Sequence, residues 1–202
     1  MISKIPKFIQ NIFINCEFKI KDSLKTIYLT FDDGPVPDVT IEVLNLLDKY
    51  NAKATFFCVA QNIIKHPEVF EEIKKRGHRL GNHTFHHLKG WKTKDEEYFS
   101  DIKMADELVC SNLFRPPYGR IKPQQFLFLR KKYRIILWSV ISYDYNSLLS
   151  KRRVWKNVRN NITDNDIVLF HDNIKAKENM LHALNNTLSF FSAKGYCFKS
   201  IE

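Results

Sequence analysis

Short apolar runs alternate with longer stretches whose apolar residues recur every three or four positions, and this alternation sets the expected architecture. Residues 26–31, TIYLTF, are β-branched and aromatic, the composition of a strand. Residues 40–50 then carry Ile41, Val43, Leu44, Leu46 and Leu47 largely at helical spacing, with Thr40 placed to cap the helix. A strand is predicted over 54–59, then a helix opened by Pro67 and closed by Gly77. Strand segments at 78–81, 112–114, 134–138 and 166–170 follow, interleaved with helices at 95–109, 123–132, 151–160 and 179–191. An extended run closes the chain near 196–201. Such a sequence of elements predicts an α/β fold, a parallel sheet or a (β/α) barrel, with chemistry at the C-terminal ends of the strands.

The polar clusters fall at those ends. Asp32 and Asp33 follow the first strand, in TFDDGP; Asn82, His83, His86 and His87 follow HRLG; Arg115 follows NLF; Asp144 follows RIILW within WSVISYD; His171 and Asp172 follow DIVLF. Asp-Gly and Gly-Pro pairs are ordinary turn chemistry by themselves. Five clusters converging on one rim point instead to a site. His83 and His87 are four apart, a spacing that on a helical turn presents both imidazoles on one face. Two imidazoles and a carboxylate make a three-ligand metal site with a position left for water. Spacing alone leaves His83 with His86 open as the pair. Adjacent aspartates in a regular strand face opposite ways, but a turn at Gly34-Pro35 lets both reach one cavity, one as ligand and the other as base.

Composition narrows the alternatives. At 202 residues and 44% hydrophobic content the chain can bury one core, and six Gly and seven Pro are too few for a long linker. The formal charge of +10 favours polyanions in general. No zinc-finger or RNA-recognition signature makes nucleic acid a specific partner. Cys16, Cys58, Cys110 and Cys197 are far apart with no CxxC pair, which excludes a cysteine-type zinc site and suits a reducing compartment. The run Ile12-Phe13-Ile14 is too short for a signal-peptide core, and no segment approaches a membrane span, so a cytoplasmic location is expected. Ile5, Phe8, Ile9 and Ile12 fall at helical spacing beside Lys4 and Lys7. That stripe either packs on its own domain or lies weakly on a membrane surface. Trp91 and Trp138 read as core residues or as sugar-stacking platforms.

TFDDGP at 30–35, HTFHH at 83–87, RPPYG at 115–119, the stretch around Asp144 and LFH at 169–171 together resemble the polysaccharide deacetylases of carbohydrate esterase family 4, the NodB homology domain. The resemblance runs from about Thr26 to the C-terminus. It implies a single-domain distorted (β/α) barrel of seven or eight parallel strands over 26–202, preceded by a basic and apolar extension over 1–25. It also implies a divalent metal, zinc first with cobalt, nickel or manganese as alternatives, held by Asp33, His83 and His87. Asp32 would be the general base, Arg115 its orienting partner, and Tyr118 the source of an oxyanion-hole N–H. His171 would be the general acid, held by Asp144. Leu169 and the residue at 145 would line the acetyl pocket.

Two positions depart from the family pattern Asp-x-x-Asp-Trp: Ile141 stands for the first aspartate and Tyr145 for the tryptophan. The activity implied is hydrolytic removal of N-acetyl groups from an amino-sugar glycan, chitooligosaccharide- or peptidoglycan-like, with release of acetate. The alternatives are a deacylase of a lipid-linked amino sugar and a catalytically silent glycan-binding module on the same fold.

Overall fold

The structure, a computed structural model, describes residues 3–12, 15–22 and 25–202. The strands are β1 (Cys16–Glu17), β2 (Thr26–Asp32), β3 (Ala54–Cys58), β4 (Arg79–Asn82), β5 (Leu113–Phe114), β6 (Arg134–Ile136), β7 (Val140–Ile141), β8 (Ile167–His171) and β9 (Cys197–Phe198). The helices are α1 (Lys7–Ile12), α2 (Pro37–Lys49), α3 (Ala60–Lys65), α4 (Pro67–Lys75), α5 (Asp95–Val109), α6 (Pro123–Leu129), α7 (Lys151–Arg159) and α8 (Lys177–Ser192). Eight strands run in the order β1-β6-β5-β4-β3-β2-β8-β7, all pairs parallel, and β9 adds to β2. The result is a curled, distorted (β/α) barrel within a single domain.

β2 and β3 lie at the centre and are buried along their whole length, as a parallel sheet covered on both faces requires. Phe31 stacks on Phe56 and Phe170 at centroid separations of 5.0 and 5.9 Å. The larger core lies between these strands and α2, α7 and α8, through residues such as Leu44, Val154 and Leu184.

Residues 3–5 and 16–17 are woven into this sheet. β1 pairs with β6, while residues 3–5 pair antiparallel with β7 through Ile5 N–H to Ser139 O and Ile141 N–H to Ser3 O, both 2.9 Å. Lys4 and Lys19 both reach the buried carboxylate of Asp166, Lys19 at 3.0 Å. The segment thus ties the two outer strands, β6 and β7, into one seam. Of the apolar stripe, Ile5 is half-buried and Phe8 is 67% exposed. The side chains of Ile9 and Ile12, and residues 13 and 14, lie outside the described residues. No helix among the described residues is long and apolar enough to cross a membrane.

Two local expectations are revised. α2 starts at Pro37 after Val36, because proline fits the first helical turn, whose N–H groups have no intrahelical partner. Thr40 is therefore inside the helix, where its hydroxyl accepts from Val36 N–H and donates to Asp172. Residues 83–87 are a loop rather than a helical turn, with Thr84 and His87 at φ 68° and 57°.

Candidate metal and acyl-transfer site

The C-terminal end of β2 brings the two aspartates together. Asp32 is the last strand residue; Asp33 has φ 85°, which turns its side chain to the cavity that Asp32 also faces. The following Gly34–Pro35 peptide is cis. Glycine at 34 answers a close approach: a Cβ there would lie 2.0 Å from Asp172 Oδ2. Asp172 Oδ1 instead accepts the Gly34 N–H at 3.0 Å. Burial pushes the Asp172 carboxyl up to about 8, against the hydrogen bond from Thr40.

The β4 loop delivers the histidines. Asn82 Oδ1 accepts from Thr84 N–H at 2.8 Å, and Asp101 Oδ2 on α5 accepts from Phe85 and His86 N–H at 2.7 and 3.1 Å. These bonds hold a backbone that no helix supports, and place the His83 and His87 rings 5.0 Å apart. His86, the open alternative, bonds Asp101 Oδ1 through Nδ1 at 2.6 Å and braces the loop. His83 Nδ1 donates to Arg115 O at 2.7 Å, which leaves Nε2 as a lone-pair donor toward the cavity. Burial foremost, then the neighbouring His87, lowers His83 to about 4, against the pull of Asp32 and Asp33. It is therefore neutral, as a ligand must be.

Asp33 Oδ1 is 3.2 Å from His87 Nε2 and 3.8 Å from His83 Nε2. Asp33, His83 and His87 each offer one ligand atom, all within 4.8 Å of one another; among the described residues they are the one group of three or more such side chains so disposed. Two imidazole nitrogens and one carboxylate oxygen suit a divalent ion of the zinc type, with a coordination position left over. Although burial disfavours the Asp33 carboxylate, the hydrogen bond to His87 and the surrounding imidazoles hold it well below the usual carboxylate range.

Asp32 lies beside this group, its Oδ2 3.7 Å from His83 Nε2. Its Oδ1 accepts from Arg115 Nη1 at 2.7 Å. The Arg115 guanidinium is fully buried: besides Asp32 it donates to Thr30 Oγ1, Ile136 O and Leu137 O, and it stacks over Phe57 at 4.1 Å. Across the cavity, His171 Nδ1 bonds Asp144 Oδ1 at 2.8 Å, and Asp144 Oδ2 accepts the His171 N–H at 2.8 Å. Burial works against the imidazolium, but the charge and hydrogen bond of Asp144, helped by Asp33 and Asp32, raise His171 to about 9.

All of these converge on a cavity of about 870 Å³ at the strand ends. Tyr118, Ile141, Tyr145 and Leu169 supply apolar lining. Tyr118, at φ 62° in a short 3₁₀ turn, packs at a tilt against His87 at 4.8 Å, and Tyr145 packs edge-on to His171 at 5.0 Å. Trp91 also lines the cavity but is 63% exposed, so it is no core residue; Trp138 is half-buried in the lining beneath Arg115. Asn173 was not foreseen. Its Nδ2 donates to Asp33 Oδ2 at 2.6 Å, occupying the oxygen that faces away from the histidines. The signal was its place two residues after His171, at the same strand end.

The family model described as polysaccharide deacetylase matches residues 19–133. A peptidoglycan-N-acetylglucosamine deacetylase of Bacillus cereus is 33% identical over 200 residues, covering 92% of this chain and 90% of that protein. A similarly named Listeria monocytogenes protein is 33% identical over 88% of this chain, which spans only 38% of its length. The crystal structure of the Bc1960 peptidoglycan N-acetylglucosamine deacetylase, in complex with an N-hydroxybenzamide, superposes with a TM-score of 0.86 at 29% identity, covering 91% of this chain and 89% of that one.

Proposed function

The chain belongs to the polysaccharide deacetylase family, and from that membership and the site's geometry we propose that it is a metal-dependent hydrolase of N-acetyl groups on amino-sugar glycans. The observation that carries the reading is the grouping of Asp33, His83 and His87 between a buried Asp32–Arg115 pair and an Asp144–His171 pair.

Asp33, His83 and His87 would hold the cation, with zinc the ion that the donor set favours. When bound, that ion supplies Lewis-acid polarisation of the acyl oxygen and lowers the pKa of water toward roughly 7. Asp32 takes the proton from the attacking water. Its bond to Arg115 orients one oxygen and leaves the other, on the His83 side, free to accept. The Tyr118 backbone N–H helps to hold the oxyanion. His171 carries a proton at neutral pH and delivers it from Nε2 to the leaving nitrogen, because Asp144 occupies Nδ1. Leu169, Ile141 and Tyr145 enclose the acetyl methyl. The products are acetate and a free amino sugar.

The test is acetate release from N-acetylchitooligosaccharides and from peptidoglycan fragments, with chelator and after metal is restored. Release that stops with chelator and returns with zinc supports the reading; no release from any N-acetylated glycan by metal-loaded protein overturns it. Asp32→Asn should lower kcat by about 10²-fold or more while bound metal is unchanged.

A further inference from the structure

Four cations stand around the mouth of the cavity: Lys89, Lys92, Arg120 and Lys175. All four are exposed. They come from three separate loops, after β4, β5 and β8. Because β3 and β2 lie between β4 and β8 in the sheet, Lys175 is on the far side of the opening from the other three. Over the described surface some cations, Lys74, Lys122, Lys132, Lys151, Lys177 and Lys199 among them, are drawn into ion pairs with carboxylates, while others, such as Arg152, Arg153 and Lys156 on α7, are not. What sets the rim apart is that its cations converge on one opening. Among the described residues, none of the four rim cations has such a partner. Lys89 Nζ instead lies 4.8 Å over the Tyr118 ring.

The acids of the site do not call for these charges. Asp32 is matched by Arg115 and Asp144 by His171, which leaves Asp33 as the one unmatched anion lining the cavity, and a bound divalent cation would more than offset it. A concave, partly apolar opening with unpaired charge of one sign concentrates its field on what enters.

We propose that this mouth selects a glycan carrying anionic groups, carboxylate or phosphate, next to the N-acetyl sugar being hydrolysed. The inference rests on the deacetylase reading for the reaction and on the rim alone for the preference. Lys89, Lys92 and Arg120 flank one side of the sugar path, with Trp91 and Tyr118 as stacking faces, and Lys175 the other.

Three N-acetylated oligosaccharides of one length serve as probes: neutral, carboxylate-bearing and phosphate-bearing. Each is followed by Trp fluorescence for binding and by acetate release for turnover. At low salt, one anionic probe should bind at least about tenfold more tightly than the neutral one and show a correspondingly higher kcat/KM, and the advantage should collapse at high ionic strength. Lys89→Gln/Lys92→Gln/Arg120→Gln/Lys175→Gln should bring the anionic-to-neutral ratio close to one. Lys151→Gln/Arg152→Gln/Arg153→Gln/Lys156→Gln on α7, which removes equal charge away from the mouth, should preserve it. Whichever of the two anions gains more identifies the source. Equal binding of all three probes, or a preference lost equally in both variants, overturns the inference while leaving the deacetylase reading intact. Preferential binding without acetate release overturns that reading and leaves the rim assignment standing.

Discussion

Two charged pairs flank the donor group at the residue scale. Asp32 accepts a hydrogen bond from Arg115, and Asp144 keeps His171 a proton donor. His171 is raised from 6.5 to about 9, so its imidazolium contributes stability that is fully present below pH 6.5 and lost as pH rises through 9. In metal-free Asp144→Asn, NMR titration should find His171 lowered by at least about one unit. The alkaline arm of the rate profile should move down with it. His78 behaves in the opposite sense: burial, with Lys53 nearby, lowers it from 6.5 to about 4. Its contribution is complete above pH 6.5 and is lost as pH falls through 4. His78 Nδ1 accepts the Ala54 N–H at 3.3 Å, and Nε2 is buried with no hydrogen-bond partner among the described residues. His78→Asn, which can keep the accepting role, should remove up to about 3 kcal/mol of the acid-side loss seen by urea titration at pH 4 and 7.

Among the elements, those with a strong period were legible in the sequence, as were the short strands β5, β6 and β9 within 112–114, 134–138 and 196–201, whereas α3, β1 and β7 were not. α5 runs from Asp95 to Val109 as its spacing predicts, and β2 and β3 differ from expectation by one residue at an end. α3 went unread because AQNIIK is too short to display a helical period. β1 and β7 have two residues each and are defined by pairing rather than composition. The site residues were legible as polar groups at strand ends. The loop geometry of His83 to His87 was not, since it depends on Asp101, an acid that reads as an ordinary helix-surface residue until α5 docks against β4. The turn after β2 is similarly tertiary. Gly34→Ala would drive a methyl into Asp172, a short buried side chain that cannot swing away. It should cost about 1–3 kcal/mol and lower metal affinity, read by thermal melts and by calorimetric zinc titration.

Over the whole molecule, residues 3–5 and 16–19 share backbone pairing and a buried charge with the rest of the barrel. Burial opposes ionisation of Asp166, but Lys4, Ser139 and the Thr163 N–H hold its pKa below the ordinary value. Lys4→Gln/Lys19→Gln would leave that carboxylate with hydrogen bonds and no counter-charge. A loss of about 1–3 kcal/mol is expected by denaturant titration, with faster amide exchange at β7 than at β3. The family resemblance read from five motifs agrees with the match over residues 19–133 and with the close superposition on a solved deacetylase. What it did not convey is the unpaired basic mouth, whose members fall outside those motifs.

The bracing of the histidine loop by Asn82 and Asp101 has a further consequence. Neither group would be a donor to a cation at Asp33, His83 and His87, so the scaffold would stand with or without the ion, and the cost of arranging the ligands is met by the folding of the sheet. Chelation should therefore leave hydrogen-exchange protection around Asn82 to Leu88 nearly unchanged. One divalent ion should replace another on simple mixing, so that the metal carried in a cell follows the supply of that metal as much as the preference of the protein.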